Sequence, residues 1–156
     1  MAAYVNQGDV VADIGADHAY LPILLFRQGV TRRFILTDKN EGPLIKTRES
    51  LMRAFPGTAF EPEFSLRLGD GLTPLAPGEA DTVVIAGMGG ETIVSILDAD
   101  RAKVESVGRF IFQPRTKVET LREYINNNRY YVINEEFAPE RGRMCAILVV
   151  APKQDT

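Results

Sequence analysis

The chain has one cysteine and one histidine in 156 residues. A lone Cys145 excludes an internal disulfide and any multi-cysteine zinc pattern, and a lone His18 excludes a histidine-rich metal site, so no metal is expected. No apolar run reaches the ~18 residues of a membrane span, and the N-terminus lacks the basic-then-apolar signature of a secretory leader. The expectation is a cytoplasmic protein with no membrane partner. Internal repeats, linkers and low-complexity tracts are missing too. With 45% hydrophobic and 25% charged residues, the composition fits one domain over residues 1–156, long enough to bury roughly 70% of its unfolded surface. A monomer is the working expectation for its oligomeric state. There is no excess of positive charge: the net charge of −3 does not mark a nucleic-acid binder. The balance is uneven, however, with 8 Lys+Arg against 14 Asp+Glu in residues 1–100 and 10 against 7 in residues 101–156. A bound nucleic acid would lean on the C-terminal half.

What the sequence does have is VVADIGADHAYLP, residues 10–22. A β-branched apolar run meets its first charge at Asp13 and a glycine at Gly15, where a strand has to end. Glycine there frees the backbone for a positive φ and lets a ligand approach bare chain. The helix start that follows offers unpaired N–H groups to an anionic ligand group. The dinucleotide fingerprint G-x-G-x-x-G is absent, because its second and third glycines are replaced by Asp17 and Tyr20. A pyrophosphate would meet a carboxylate, whereas a ligand carrying an amino group beside a carboxylate finds complementary charge. These residues favour S-adenosylmethionine over NAD.

The remaining chain alternates strands and helices. Residues 1–7 read as the end of a preceding helix. Strands are expected at about 10–15, 34–37, 63–68, 82–86 and 109–113, with helices at about 18–28, 43–54, 91–97 and 117–128. Two final runs, 131–137 and 144–150, read as an antiparallel pair around 138–143. This pattern predicts a doubly wound α/β sheet. Asp38 follows the second strand 23 residues after Gly15, near the ~20-residue separation at which an acid meets ribose hydroxyls. Gly69-Asp70-Gly71 presents a second carboxylate, and the fourth strand breaks into Gly87-Met88-Gly89-Gly90.

DIGADHAYLP, TDKNEGP, RLGDGL, VVIAGMGG and QPR, in this order, resemble the motifs of the bacterial tRNA (adenine-N1)-methyltransferases that modify the adenine at tRNA position 22. The resemblance implies a Rossmann-like class I methyltransferase core with a mostly parallel seven-stranded sheet whose last strand is antiparallel. It implies S-adenosylmethionine as cofactor and tRNA as partner. It also implies a C-terminal helical, coiled-coil-like domain, which is not expected within these residues. The family ends its fifth strand in QPN; Arg115 stands here in place of that asparagine, so no asparagine role carries over.

On this reading the cofactor contacts fall to Asp13, Gly15, Asp17, His18, Asp38, Lys39, Asp70, Gly71 and Ala86. The substrate base falls to Gly87, Met88, Gly89, Gln113 and Pro114. Alternatives stand beside several of these. Asp17 is also a favoured helix N-cap, Asp38 and Asp70 also suit plain turns, and the glycines also serve a tight turn. Arg115 reads either as a phosphate or base contact or as a solvated side chain. Tyr130 and Tyr131 are candidates for base stacking or for core, and Cys145 for packing. The chemistry implied is attack of adenine N1, whose lone pair needs no general base, so alignment of a flipped-out base carries the catalysis. Product charge would be eased by backbone carbonyls of residues 86–90. An N6 methyltransferase would show Asn or Asp followed by two prolines and an aromatic, and AGMGG stands instead. The other readings are a small-molecule methyltransferase on the same core, and a noncatalytic module binding S-adenosylmethionine or tRNA.

Overall fold

A computed structural model describes residues 1–57, 60 and 62–153. Seven strands form one sheet: β1 (Val10–Ile14), β2 (Arg33–Asp38), β3 (Phe64–Leu68), β4 (Thr82–Met88), β5 (Arg109–Pro114), β6 (Tyr130–Glu140) and β7 (Arg143–Pro152). Their spatial order is β3-β2-β1-β4-β5-β7-β6. The first five are parallel, and β7 runs antiparallel to both its neighbours. This is the doubly wound α/β sheet that the strand–helix alternation predicted, with the seven strands and antiparallel last strand that the resemblance implied.

Helices α1 (Tyr20–Arg27) and α2 (Glu41–Ala54) cover one face, and α3 (Gly90–Ala99), α4 (Arg101–Glu105) and α5 (Val118–Asn127) cover the other. The central strands are apolar on both sides because both sides are covered. Val84 and Ile111 pack toward α1 and α2, while Val83, Ile85, Phe110 and Phe112 pack toward α3 and α5. Ile93 and Leu97 of α3 recur at helical spacing, as do Leu121 and Ile125 of α5, and all four are buried. Each such side chain contributes roughly 1.5–3 kcal/mol, which anchors the loops preceding these helices at the strand ends. On the opposite face Phe34 stacks on Phe64 at 4.8 Å, with Phe26 and Phe55 packed around them.

Several boundaries differ from the sequence expectation. Residues 2–4 form only a 3-10 turn rather than the end of a longer helix. β1 stops at Ile14, and α1 begins at Tyr20 instead of residue 18, because Asp17 and Ala19 both take left-handed backbone angles (φ 51° and 58°) that no helix admits. β4 runs on through a bulge between Ala86 and Met88, so its glycines bend a strand instead of ending one. The last two strands are longer than expected and turn at Arg141-Gly142, both at positive φ, the geometry of a two-residue hairpin. Ladder pairing of β7 with β5 covers Leu148 to Val150, so residues 143–147 of β7 and their partners in β6 continue past β5 as a two-stranded ribbon.

Candidate functional site

Parallel strands put equivalent residues in rows, and the rows at the C-terminal edge of the sheet assemble the site. Asp13 sits beside Leu36 and Val84, with Val84 beside Ile111, on the face toward α1 and α2. Two residues further along, the same face presents Asp38, Gly15, Ala86 and Gln113, with Ala86 paired to Gln113. Ile14 and Thr37 point the other way, toward α3. Gly15 is therefore the crest between two depressions.

The larger depression has a volume of about 590 Å³ and is lined by Thr37, Asp38, Lys39, residues 69–71, Gly89 and Ile96 among others. One oxygen of Asp38 accepts the Asn40 N–H at 2.9 Å, which turns the carboxylate and leaves its other oxygen to the cavity. The Thr37 hydroxyl is buried without a hydrogen-bond partner, an exception in a protein interior, where such groups are ordinarily paired. Asp70 is exposed on its turn. The loop that carries it is closed by Arg67, whose guanidinium donates to both oxygens of Glu79 at 2.6 and 2.7 Å and to the Pro74 carbonyl at 3.0 Å. Those bonds, with one from the Ala76 N–H, hold the Glu79 carboxyl down to about 2.

The smaller depression, of about 400 Å³, is lined by Gly15, Asp17, Asp38, residues 86–88, Gln113, Arg115, residues 140 and 141, Arg143 and Cys145. Its floor is the row Gly15, Ala86, Gln113. Gln113 is 9% exposed, and its amide has no hydrogen-bond partner among the described residues. The ribbon forms one wall: Arg143 donates to the Arg115 carbonyl at 2.8 Å, and none of Arg115, Arg141 and Arg143 has an ion-pair partner among the described residues.

Met88 divides the two. A β-carbon on Gly15 would stand 2.8 Å from the terminal methyl of Met88, and Gly15 has φ +72°. The methionine therefore rests on bare backbone at the crest. Beneath the crest, Asp13 is 7% exposed, and burial alone pushes its carboxyl up to about 7. Asp17 does not cap α1, whose N-cap is Ala19; its left-handed turn is pinned by the Thr47 hydroxyl, which donates to the Asp17 carbonyl at 2.6 Å.

The two loops leaving β4 and β5 are stitched together. Arg115 N–H donates to the Met88 carbonyl at 2.9 Å, and Gly90 N–H donates to the Thr116 carbonyl at 2.7 Å. A side chain at Gly90 would stand 2.1 Å from the Lys117 carbonyl oxygen, so only glycine permits this approach.

The structure thus brings Gly15, Asp17, Asp38, Lys39, Asp70, Gly71, Ala86, Gly87, Met88, Gly89 and Gln113 to the two depressions. It does not bring His18, which stacks on Tyr20 at 5.3 Å and faces the groove between α1 and α2. Pro114 is buried beside Met88 and lines neither depression. Tyr130 and Tyr131 start β6 at the opposite end of the sheet, where Tyr130 pairs with Pro152 and burial pushes its hydroxyl up to about 12. Sequence reasoning missed Arg141 and Arg143. The turn-forming Arg141-Gly142 pair between two alternating runs was the available signal.

The S-adenosylmethionine requirements can be set against these groups. An adenosine needs ribose-facing and amino-facing acceptors, which Asp38 and Asp70 present. Asp13, predicted as a cofactor contact, is buried beneath the crest and lines neither depression. The adenosine-facing residues fit.

The methyltransferase domain family matches residues 1–148. Over 149 residues the chain is 35% identical to the tRNA (adenine(22)-N(1))-methyltransferase of Bacillus subtilis, covering 96% of this chain and 61% of that protein. Streptococcus pneumoniae Sp1610 in complex with S-adenosyl-L-methionine superposes with a TM-score of 0.90 at 31% identity, over 99% of this chain and 71% of that one. M. capricolum TrmK in complex with S-adenosyl-homocysteine gives 0.82 at 28% identity, over 97% and 65%. The chain spans 61% of the length of the curated relatives it matches.

Proposed function

This chain belongs to the methyltransferase domain family, and we propose that it moves a methyl group from S-adenosylmethionine to N1 of an adenine in tRNA. The target is the nucleotide at position 22 that the name of the Bacillus subtilis relative specifies. One observation carries the reading: two depressions meet at a bare glycine, one lined by adenosine-type acceptors and the other walled by arginines without ion-pair partners among the described residues. A phosphodiester is the polyanion those arginines suit.

When bound, S-adenosylmethionine would supply a sulfonium methyl carbon to the N1 lone pair, the electron pair of the broken C–S bond leaving with sulfur. Everything else falls to the chain. Asp38 would accept from ribose hydroxyls, Asp70 from the adenine amino group, and Asp13 from the ammonium group, with Gly15, Asp17, Lys39, Gly71 and Ala86 shaping the cofactor bed. Met88 has to leave the crest before any ligand can span both depressions. Positive charge arriving on the target ring is eased by backbone carbonyls at the end of β4. The Met88 carbonyl already accepts from Arg115, and that of Gly89 from Ile93. No helix among the described residues is long and apolar enough to cross a membrane. We place the reaction in the cytoplasm and take residues 1–156 as one methyltransferase domain.

The test is methyl transfer from labelled S-adenosylmethionine to unmodified tRNA and to the same tRNA with guanine at position 22. Label on the first alone, recovered as N1-methyladenosine after digestion, is the expected result. Label recovered as N6-methyladenosine overturns the regiochemistry. No label on either, with cofactor binding intact by calorimetry, overturns the enzymatic reading in favour of a cofactor-binding module.

A further inference from the structure

We infer that Gln113 is the residue that selects adenine, reading the Hoogsteen edge of the flipped-out base while its N1 faces the crest. The inference rests on the tRNA reading above. Gln113 is the penultimate residue of β5, on the floor of the smaller depression, more than nine-tenths buried as a residue, with its amide unpartnered among the described residues. Its amide atoms open onto the depression instead of being sealed in the core, so a ligand seated there can supply the donor and acceptor that the chain does not. Its neighbours in the row, Gly15 and Ala86, have no side-chain polar atoms, and the Cys145 thiol on the wall is a weak hydrogen-bonding group. The other strong hydrogen-bonding side chains of this lining, Asp17, Asp38, Glu140 and the three arginines, are all charged, which leaves Gln113 as its one neutral group able to donate and accept side by side.

A carboxamide matches adenine at two adjacent atoms. Oε1 accepts from the exocyclic N6 amino group while Nε2 donates to N7. This pairing uses the edge that contains N6 and N7 and leaves N1, on the other side of N6, unobstructed. The same pairing fails for guanine, which offers two acceptors, O6 and N7, so that one amide rotamer leaves Oε1 facing an oxygen and the other leaves it facing a nitrogen lone pair. Geometry also suits the direction of approach. Gln113 is paired with Ala86, immediately before the bulge that carries Gly87 and Met88, so a base held on the amide lies beside the crest where the methyl group arrives.

The test compares tRNA carrying adenosine with tRNA carrying 7-deazaadenosine at the target position, in which the N7 acceptor is replaced by C–H. The unsubstituted chain is expected to lose about tenfold in kcat/KM on the deaza substrate, the loss of one hydrogen bond of a bidentate pair. Gln113→Ala is expected to be slower on adenosine yet indifferent to the deaza change. Gln113→Glu, whose carboxylate only accepts, is expected to prefer the deaza substrate because the clash with N7 is gone. All three proteins meet the same change in ring basicity, so the ratio of ratios isolates the contact. Calorimetric affinity for S-adenosylmethionine, unchanged in the variants, shows that they fold. An equal deaza penalty in the unsubstituted chain and in Gln113→Ala overturns the inference while leaving the tRNA reading intact. Failure of the unsubstituted chain to methylate either RNA overturns both.

Discussion

Asp13 gives a quantitative prediction about the cofactor turn. Its carboxyl is pushed from 3.8 to about 7 by burial, and every tenfold change in proton affinity corresponds to about 1.4 kcal/mol. Ionising it in the folded chain therefore costs about 4 kcal/mol more than ionising it in the unfolded chain. The sign follows from proton counts. Between about pH 4 and pH 7 the folded state keeps a proton that the unfolded state has released, so stability falls as pH rises across that window and is flat above it. Asn in place of Asp13 keeps the shape and removes the titration. Urea unfolding at half-unit pH intervals should show Asp13→Asn matching the parent near pH 4 and exceeding it by up to about 4 kcal/mol near pH 8. Glu79, with its carboxyl held down to about 2, contributes stability that is lost as pH falls below about 4; it does so in both proteins and cancels in the difference. Cofactor affinity should move oppositely. The parent should bind S-adenosylmethionine more tightly up to about pH 7, as Asp13 loses its proton to solvent and its carboxylate can pair with the ammonium group, and the variant should bind weakly and without that dependence. Parallel stability profiles for parent and variant would refute the burial argument. A parent whose cofactor affinity ignores pH while its stability profile holds would refute the ammonium contact alone.

Two further outcomes are expected. Gly90→Ala drives a β-carbon into the Lys117 carbonyl, 2.1 Å away, and because that neighbour is backbone, chemical denaturation should register a loss of about 3 kcal/mol or more. Arg143→Gln removes a phosphate-seeking charge from the wall of the smaller depression; tRNA affinity should drop and the slope of log affinity against log salt should shallow by about 0.7–0.9, with S-adenosylmethionine affinity unchanged by calorimetry.

Much of this architecture is legible in the sequence because period and punctuation carry it. The β-branched runs ending in Asp13, Asp38 and Ala86 name three strands whose C-terminal ends must share an edge, since strand and helix alternate. Asp38, Asp70 and Gly15 consequently converge on one cavity. The turn from residue 15 to residue 19 is not legible, because its shape depends on Asp17 and Ala19 taking left-handed angles, held by a hydroxyl 30 residues away on α2. That displaced the start of α1 and moved His18 outward. The glycines after Ala86 read as a break, yet pairing with β5 carries the strand through them as a bulge. Arg115 lies 26 residues before Arg141 in the chain, and only the antiparallel return of β7 brings them to one wall. Tyr130 and Tyr131 carry the composition of a stacking site at the wrong end of the sheet.

The outer edge of β6 has a consequence for assembly. Strand edges present unpaired backbone groups on which another chain can grow, and β6, at 11 residues, is the longest edge among the described residues. Three local features spoil it as a template. The register slips between Val132 and Asn134, which twists the strand at that point. Glu135 and Glu136 set adjacent acids in the middle, with Glu136 taken up by the Tyr4 hydroxyl and Glu135 by Arg122. Pro139 then removes a donor just before the hairpin tip. The bulge, the paired acids and the proline together make the outer edge of β6, long as it is, a poor template for an eighth strand.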